Sequence, residues 1–171
     1  MSRLSYLKNK IVSTEEATRI VNGWKMKGEN VVFTNGCFDI LHQGHVVYLA
    51  KAAELGDRLV IGLNSDASIK KQNKGAERPI NQQEAREIVL GALGFVDLIV
   101  LFEDDTPINL IELLNPNTLV KGADYDPDET DITSKKYIVG SDFVRQHNGQ
   151  VAVIELEEGF STTNLINKMK P

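Results

Sequence analysis

The sequence predicts an α/β fold: a mostly parallel, five-stranded sheet with helices on both faces. Three observations carry this. Short apolar runs recur along the chain, "VVFTN", "RLVIGLN", "VDLIVLF", "TLVKG" and "VAVIEL". Between them lie segments whose apolar residues repeat at helical spacing. Strands alternating with helices build parallel sheets, because each helical crossover returns the chain to the same edge. At 171 residues the chain is read as one domain, large enough to bury a proper core.

In chain order, "STEEATRIVNGWKMKG" opens with a capping box, Ser13 as N-cap and Glu16 three residues on. Ala17, Ile20, Val21 and Trp24 recur on one helix face, and Gly28 ends the run. Residues 1–29 are thus expected as a helical extension before a core spanning 30–170. The first core strand runs into "FTNGCFDILHQGH", and a helix from about Gly44 to Leu55 stops at Gly56. After "RLVIGLN", the segment "SDASIKKQNKGAERPIN" is polar and basic, with room for a short helix. "QQEAREIVLGALG" is helical, with Ile88, Val89, Ala92 and Leu93 on one side. Residues 106–114 form another helix, Pro107 sitting in its tolerant first turn. "SKKYIVGSDFVRQHNG" is partly helical, and "STTNLINKMK" is a terminal helix.

Composition narrows the function. Apolar residues make up 42% and charged residues 25%, ordinary for a soluble globular protein. The net charge of -5 argues against a general nucleic-acid binder but not against a small anionic ligand. A lone cysteine, Cys37, excludes an internal disulfide and fits a reducing compartment. The N-terminus lacks an apolar core of signal-peptide length, and no apolar run is long enough to span a bilayer. A cytoplasmic protein with no membrane partner is expected.

Ligands of parallel sheets bind at the carboxyl ends of strands. "LHQGH" stands there, with His42 just before a helix start and His45 in its first turn. Amide groups at that position are unpaired and the helix dipole is positive, so a phosphate is favoured. Gly44 allows close approach, and the two imidazoles can donate to phosphoryl oxygens. Cys37, Asp39, His42 and His45 match no common zinc spacing, so no metal site is expected. Asp39 could hold the turn or bind a ligand hydroxyl or ammonium. Lys70, Lys71, Lys74 and Arg78 concentrate after the second strand's carboxyl end at Asn64 and Asp66, where a basic loop could close over phosphates. Arg86, in the next helix, could pair with a phosphate or with its neighbours. Ser161, Thr162 and Thr163 make a hydroxyl-rich helix start, a second phosphate-friendly end. Lys121 and Gly122 fall at the fourth strand's carboxyl end, followed by Asp124 and Tyr125. No P-loop, G-x-G-x-x-G or G-x-S-x-G pattern is present.

These residues resemble the H-x-G-H nucleotidyltransferase superfamily, in its cytidylyltransferase-like branch. "NGCFDILHQGH", "LNSDASIKK", "RPI", "LVKGADY" and "FSTT" are most similar to the adenylyltransferase domain that activates D-glycero-D-manno-heptose 1-phosphate, a domain often fused to a sugar kinase and here read as standing alone. The resemblance covers roughly residues 12–170. It implies a Rossmann-like fold and attack of a sugar phosphate on the α-phosphorus of a nucleoside triphosphate. ATP is expected, CTP or GTP being alternatives, with Mg2+ accompanying the nucleotide. His42 and His45 would contact the α- and β-phosphates, and Lys70 or Lys71 would reach the transferred group. Thr34, Asn35, Gly36, Phe38, Gly44, Arg86, Lys121, Gly122, Ser161, Thr162 and Thr163 would line the nucleotide. Asp39, Asn64, Asp66, Arg78, Asp124 and Tyr125 would face the acceptor. "GFVDLIV" resembles a dimer-interface segment in such enzymes, so a homodimer is implied. The rival, glycerol-3-phosphate cytidylyltransferase, resembles "RTEGISTT" where this chain has "LEEGFSTT", without the arginine and with Glu157 in the segment before the last motif. A non-catalytic nucleotide-binding module is the other alternative.

Overall fold

The computed structural model describes residues 2–72, 78–155 and 157. In order, the elements are α1 (Arg3–Lys8), β1 (Ile11–Val12), α2 (Thr14–Met26), β2 (Val31–Gly36), α3 (Gln43–Ala53), β3 (Arg58–Asn64) and α4 (Asp66–Lys71). There follow α5 (Gln83–Gly91), β4 (Leu98–Phe102), α6 (Ile108–Leu114), β5 (Thr118–Gly122), α7 (Ser141–Gln146) and β6 (Gln150–Ile154). The expected terminal helix lies outside the described residues.

The α/β reading holds, with six strands rather than five. The sheet runs β1-β4-β3-β2-β5-β6, and every pairing among the described residues is parallel. The added strand is β1, which pairs Ile11 with Ile99 and Val12 with Val100. Two residues show no alternation, so periodicity could not reveal a strand there. The stretch expected as purely helical therefore also supplies a sheet edge.

Side chains alternate across each strand, and both faces are apolar, as a sheet covered on both sides requires. Val31, Phe33, Val60, Val100 and Leu119 pack against Ala17 and Val21 of α2, Leu110, Ile111 and Leu114 of α6, and Val144 of α7. Val32, Leu59, Ile61, Leu63 and Val120 pack on the other face against Tyr48, Leu49 and Ala52 of α3 and Leu90 of α5.

The chain leaves β2 in both directions, toward β3 and β4 on one side and β5 and β6 on the other. This makes β2 and β5 the switch point, where such sheets open a ligand crevice. The β2–β3 ladder runs the whole strand, Val31 with Arg58 through Gly36 with Leu63. The β2–β5 ladder holds only Val32 with Thr118 and Phe33 with Leu119. Beyond those pairs the carboxyl halves of β2 and β5 part.

Candidate active site

The parting strands open beneath the corner that carries the two histidines. His42 is the N-cap of α3, in extended backbone at φ -138° and ψ 171°. Its Nδ1 accepts the backbone N–H of His45 at 3.3 Å. That bond assigns Nδ1 as unprotonated, so a neutral His42 carries its proton on Nε2 and can donate from there. Among the described residues no upstream acceptor takes the N–H of Gln43 or Gly44. These two amides are the ones a phosphate would meet.

The His42 and His45 rings stack at 3.8 Å between centroids and 21° between planes. Phe38 meets His45 edge-on, at 5.3 Å and 67°. Phe38 has a left-handed backbone, φ 44°, unusual for so bulky a residue. The conformation folds its ring under Gly36, where an added Cβ would lie 2.9 Å from Phe38 Cε2. Glycine at 36 is what lets the ring buttress the histidine.

Burial and the adjacent His42 ring push His45 down to about 4, and the Ile40 backbone pulls the other way. No contact to His45 Nδ1 reaches hydrogen-bond geometry, and the atom is buried. Burial also lowers His42. Near neutral pH both rings are therefore hydrogen-bond donors rather than cations. Asn35 Oδ1, at the end of β2, is likewise buried without a hydrogen-bond partner.

Side chains bridge the crevice where the ladder stops. Tyr48 of α3 donates to the Val120 carbonyl at 3.2 Å, and its hydroxyl lies 2.8 Å from Thr34 Oγ1. Burial raises the Tyr48 phenol, so it stays protonated. Lys121 Nζ donates to the Asn35 carbonyl at 3.4 Å and stands 5.1 Å from the Tyr125 ring centroid. Gly122 ends β5 beside it. Burial, Asp124 and Cys37 together raise Tyr125.

A second group of expected ligand residues faces inward. Asp39 is 2% exposed. Its carboxylate accepts the N–H groups of Ile80 at 3.0 Å and Asn81 at 2.9 Å, and sits 2.5 Å from Arg78 Nε, although that N–H is not aligned as a hydrogen bond. Arg86, also 2% exposed, donates to Asn81 O, Cys37 O, Asn64 O and Asp66 Oδ1 at 2.7–3.1 Å. Asn64 Nδ2 binds Ser68 Oγ at 3.0 Å. These bonds direct the polar atoms of the group at protein partners.

On α4, which Ser65 caps, Lys70 is exposed and Lys71 pairs with Asp105 at 3.5 Å. Lys74 and Ser161–Thr163 lie outside the described residues. Thr34, Asn35, Gly36, Phe38, His42, Gly44, His45, Lys121, Gly122 and Tyr125 come together around the crevice; Asp124 follows them on the exposed side. Sequence reasoning missed Tyr48, legible only as a helical apolar residue, and Asn81, which no local pattern marks. Among the described residues no group of three or more His, Cys, Asp or Glu could hold a metal ion. No helix there is long and apolar enough to cross a membrane.

The cytidylyltransferase-like family matches residues 33–168, from the start of the histidine stretch to near the chain end. The chain belongs to the cytidylyltransferase-like family. Among curated proteins, this family member is 50% identical over 161 residues to bifunctional protein HldE of Magnetococcus marinus, covering 94% of this chain and 31% of the relative. It is 53% identical over 163 residues to bifunctional protein HldE of Campylobacter concisus, covering 95% and 31%. The chain thus spans about a third of the length of the curated relatives it matches. Two solved structures share the fold. A lipopolysaccharide core biosynthesis protein from Thermoplasma volcanium aligns at TM-score 0.57 and 24% identity, over 76% of this chain and 98% of that one. Pantoate-beta-alanine ligase from Francisella tularensis, complexed with beta-gamma ATP and beta-alanine, aligns at 0.64 and 16%, over 91% and 72%. This cytidylyltransferase-like protein carries His42 and His45 in the corner that follows the switch-point strand β2.

Proposed function

We propose that the protein transfers a nucleotidyl group from a nucleoside triphosphate, ATP, to D-glycero-D-manno-heptose 1-phosphate and releases pyrophosphate. The observation that carries the reading is the stacked, neutral His42–His45 pair at the start of α3, beside the amides of Gln43 and Gly44, which have no acceptor among the described residues. A sugar-phosphate oxygen attacks the α-phosphorus, and negative charge grows on the bridging and nonbridging oxygens as pyrophosphate leaves. His42 donates from Nε2 and the helix amides donate beside it, stabilising that charge. Removing one such preorganised donor costs roughly 10²–10³ in rate. Among the described residues no side chain there is placed as an activated nucleophile, which supports catalysis by positioning and charge stabilisation.

Magnesium enters with the triphosphate as part of the substrate, where it screens the phosphate charge. Lys121 and Tyr125, beside the carboxyl end of β2, frame the base or sugar side of the crevice. Ser161–Thr163 keep their sequence assignment to the β- and γ-phosphates. Lys70 and Lys71 keep theirs to the transferred group. The choice of heptose rests on the motifs "NGCFDILHQGH", "LVKGADY" and "FSTT" and agrees with the near-half identity to HldE proteins. A homodimer in the cytoplasm completes the reading.

The test is pyrophosphate release with magnesium, a panel of nucleoside triphosphates, and either heptose 1-phosphate or glycerol 3-phosphate. Release with ATP and heptose 1-phosphate is expected. Release only with CTP and glycerol 3-phosphate moves the protein to the rival reaction. Silence with every pair removes the transferase reading and leaves nucleotide binding.

A further inference from the structure

Arg86 was expected to face a phosphate, yet four of its N–H groups already have protein acceptors. Each acceptor belongs to a different segment. Nε donates to Asn81 O at 3.1 Å, on the strand of chain that leads into α5. One terminal nitrogen donates to Cys37 O at 2.7 Å, in the histidine corner, and to Asn64 O at 2.8 Å, at the end of β3. The other donates to Asp66 Oδ1 at 2.7 Å, in the first turn of α4. Its side chain is 1% exposed. A guanidinium has five N–H groups in a rigid planar fork, so four fixed acceptors define its position closely.

We propose that Arg86 is a positioning residue that holds the histidine corner and the lysine-bearing helix α4 in one register. Its effect on the reaction runs through Cys37 and Asp66, not through contact with the triphosphate. Other bonds reinforce the same assembly. Asp39, two residues after Cys37, holds Ile80 and Asn81. Cys37 Sγ lies 3.5 Å from Gln72 Oε1, at the end of α4. Thus the chain on both sides of residues 73–77 is fastened to the corner that carries His42 and His45. A shift of α4 relative to the corner would move Lys70 and Lys71 away from the phosphates, and misplacement by about 1 Å can cost on the order of 100-fold in rate. Lysine cannot replace the fork, since its donors radiate from a single nitrogen.

The inference rests on the proposed transferase activity for its kinetic readout, so it is tested by two independent measurements. Wild type, Arg86→Lys and Asp66→Asn are compared by steady-state kinetics and by amide hydrogen exchange over residues 37–45 and 66–72. Asp66→Asn removes the charge from one arm of the clasp while leaving an oxygen acceptor, and keeps the buried arginine, in case Arg86→Lys fails to fold. The expected result is a kcat at least tenfold lower in Arg86→Lys, a smaller fall in Asp66→Asn, a triphosphate KM within about threefold of wild type, and faster exchange in both segments. A raised KM with kcat unchanged would mean direct phosphate contact and overturn the proposal. Wild-type exchange in both segments for the folded variants would overturn it too. If wild type turns over no substrate pair, the transferase reading fails, while the exchange data still decide whether Arg86 sets the register.

Discussion

The imidazoles of His42 and His45 lie face to face, 3.8 Å apart, with the first capping the helix that carries the second. Under the proposed function the pair therefore mixes structural and chemical roles. His42 closes the helix end through Nδ1, which places the proton of its neutral ring on Nε2. His45 is fixed by its neighbour's ring and by the edge of Phe38.

Those roles separate by substitution. Asparagine is among the strongest N-caps, so His42→Asn keeps the helix start, whereas His42→Ala loses the cap at a cost of about 1 kcal/mol. Both variants lose the ring donor, and turnover is expected to fall by roughly 10²–10³ in each. Urea midpoints should separate them, with asparagine near wild type and alanine lower.

The His45 ring predicts a pH response. Its folded-state pKa of about 4 lies below the ordinary 6.5, so the unfolded chain binds that proton more readily. The stability contributed by the neutral ring is complete above pH 6.5 and drains away as pH falls toward 4. His45→Gln should lose less stability than wild type between pH 7 and pH 4, measured by urea unfolding at each pH. Magnesium triphosphate should raise the His45 pKa, seen as a shifted imidazole titration by NMR.

Asp39 is a buried carboxylate with two amide donors and an arginine beside it. Breaking a buried pair from one side leaves the other charge uncompensated, at about 3–5 kcal/mol. Asp39→Asn is expected to lower unfolding free energy by that order in urea titrations. An effect confined to the acceptor KM, with stability unchanged, would instead make Asp39 a substrate ligand.

Tyr48→Phe removes one hydroxyl and leaves Thr34 Oγ1 and the Val120 carbonyl facing an apolar ring edge. A loss of about 1–3 kcal/mol is expected, as for other buried hydrogen-bonding groups left unsatisfied. Thr34→Val in the same background should cost less than it does alone, because the two hydroxyls share one bond.

Much of this was legible in the sequence because it is local. The five longer strands announce themselves as apolar runs, and His42 reads as a helix start from its neighbours alone. The short strand β1 left no such trace, since two residues carry no period. Asp39 and Arg86 were legible as groups for either a ligand or nearby protein, and Arg78 as a charge near a phosphate-friendly corner, but the protein groups they bind were not. Their partners lie far along the chain, as with Arg86 and Cys37, 49 residues apart. Only the register of β2 on β3 and the packing of α5 bring them together. Tyr48 was hidden for a similar reason: its hydroxyl partner Val120 is 72 residues away.

The shortened ladder between β2 and β5 has its own consequence. Backbone pairing sets strand spacing elsewhere in the sheet, and it admits little variation. Past Phe33 and Leu119, a phenol, a hydroxyl and an ammonium span the gap instead. The aperture is thus set by side-chain length. Under the proposed function, exchanging Thr34, Tyr48 or Lys121 would change the aperture a nucleotide meets, while the pairs Val32–Thr118 and Phe33–Leu119 beneath it stay in place.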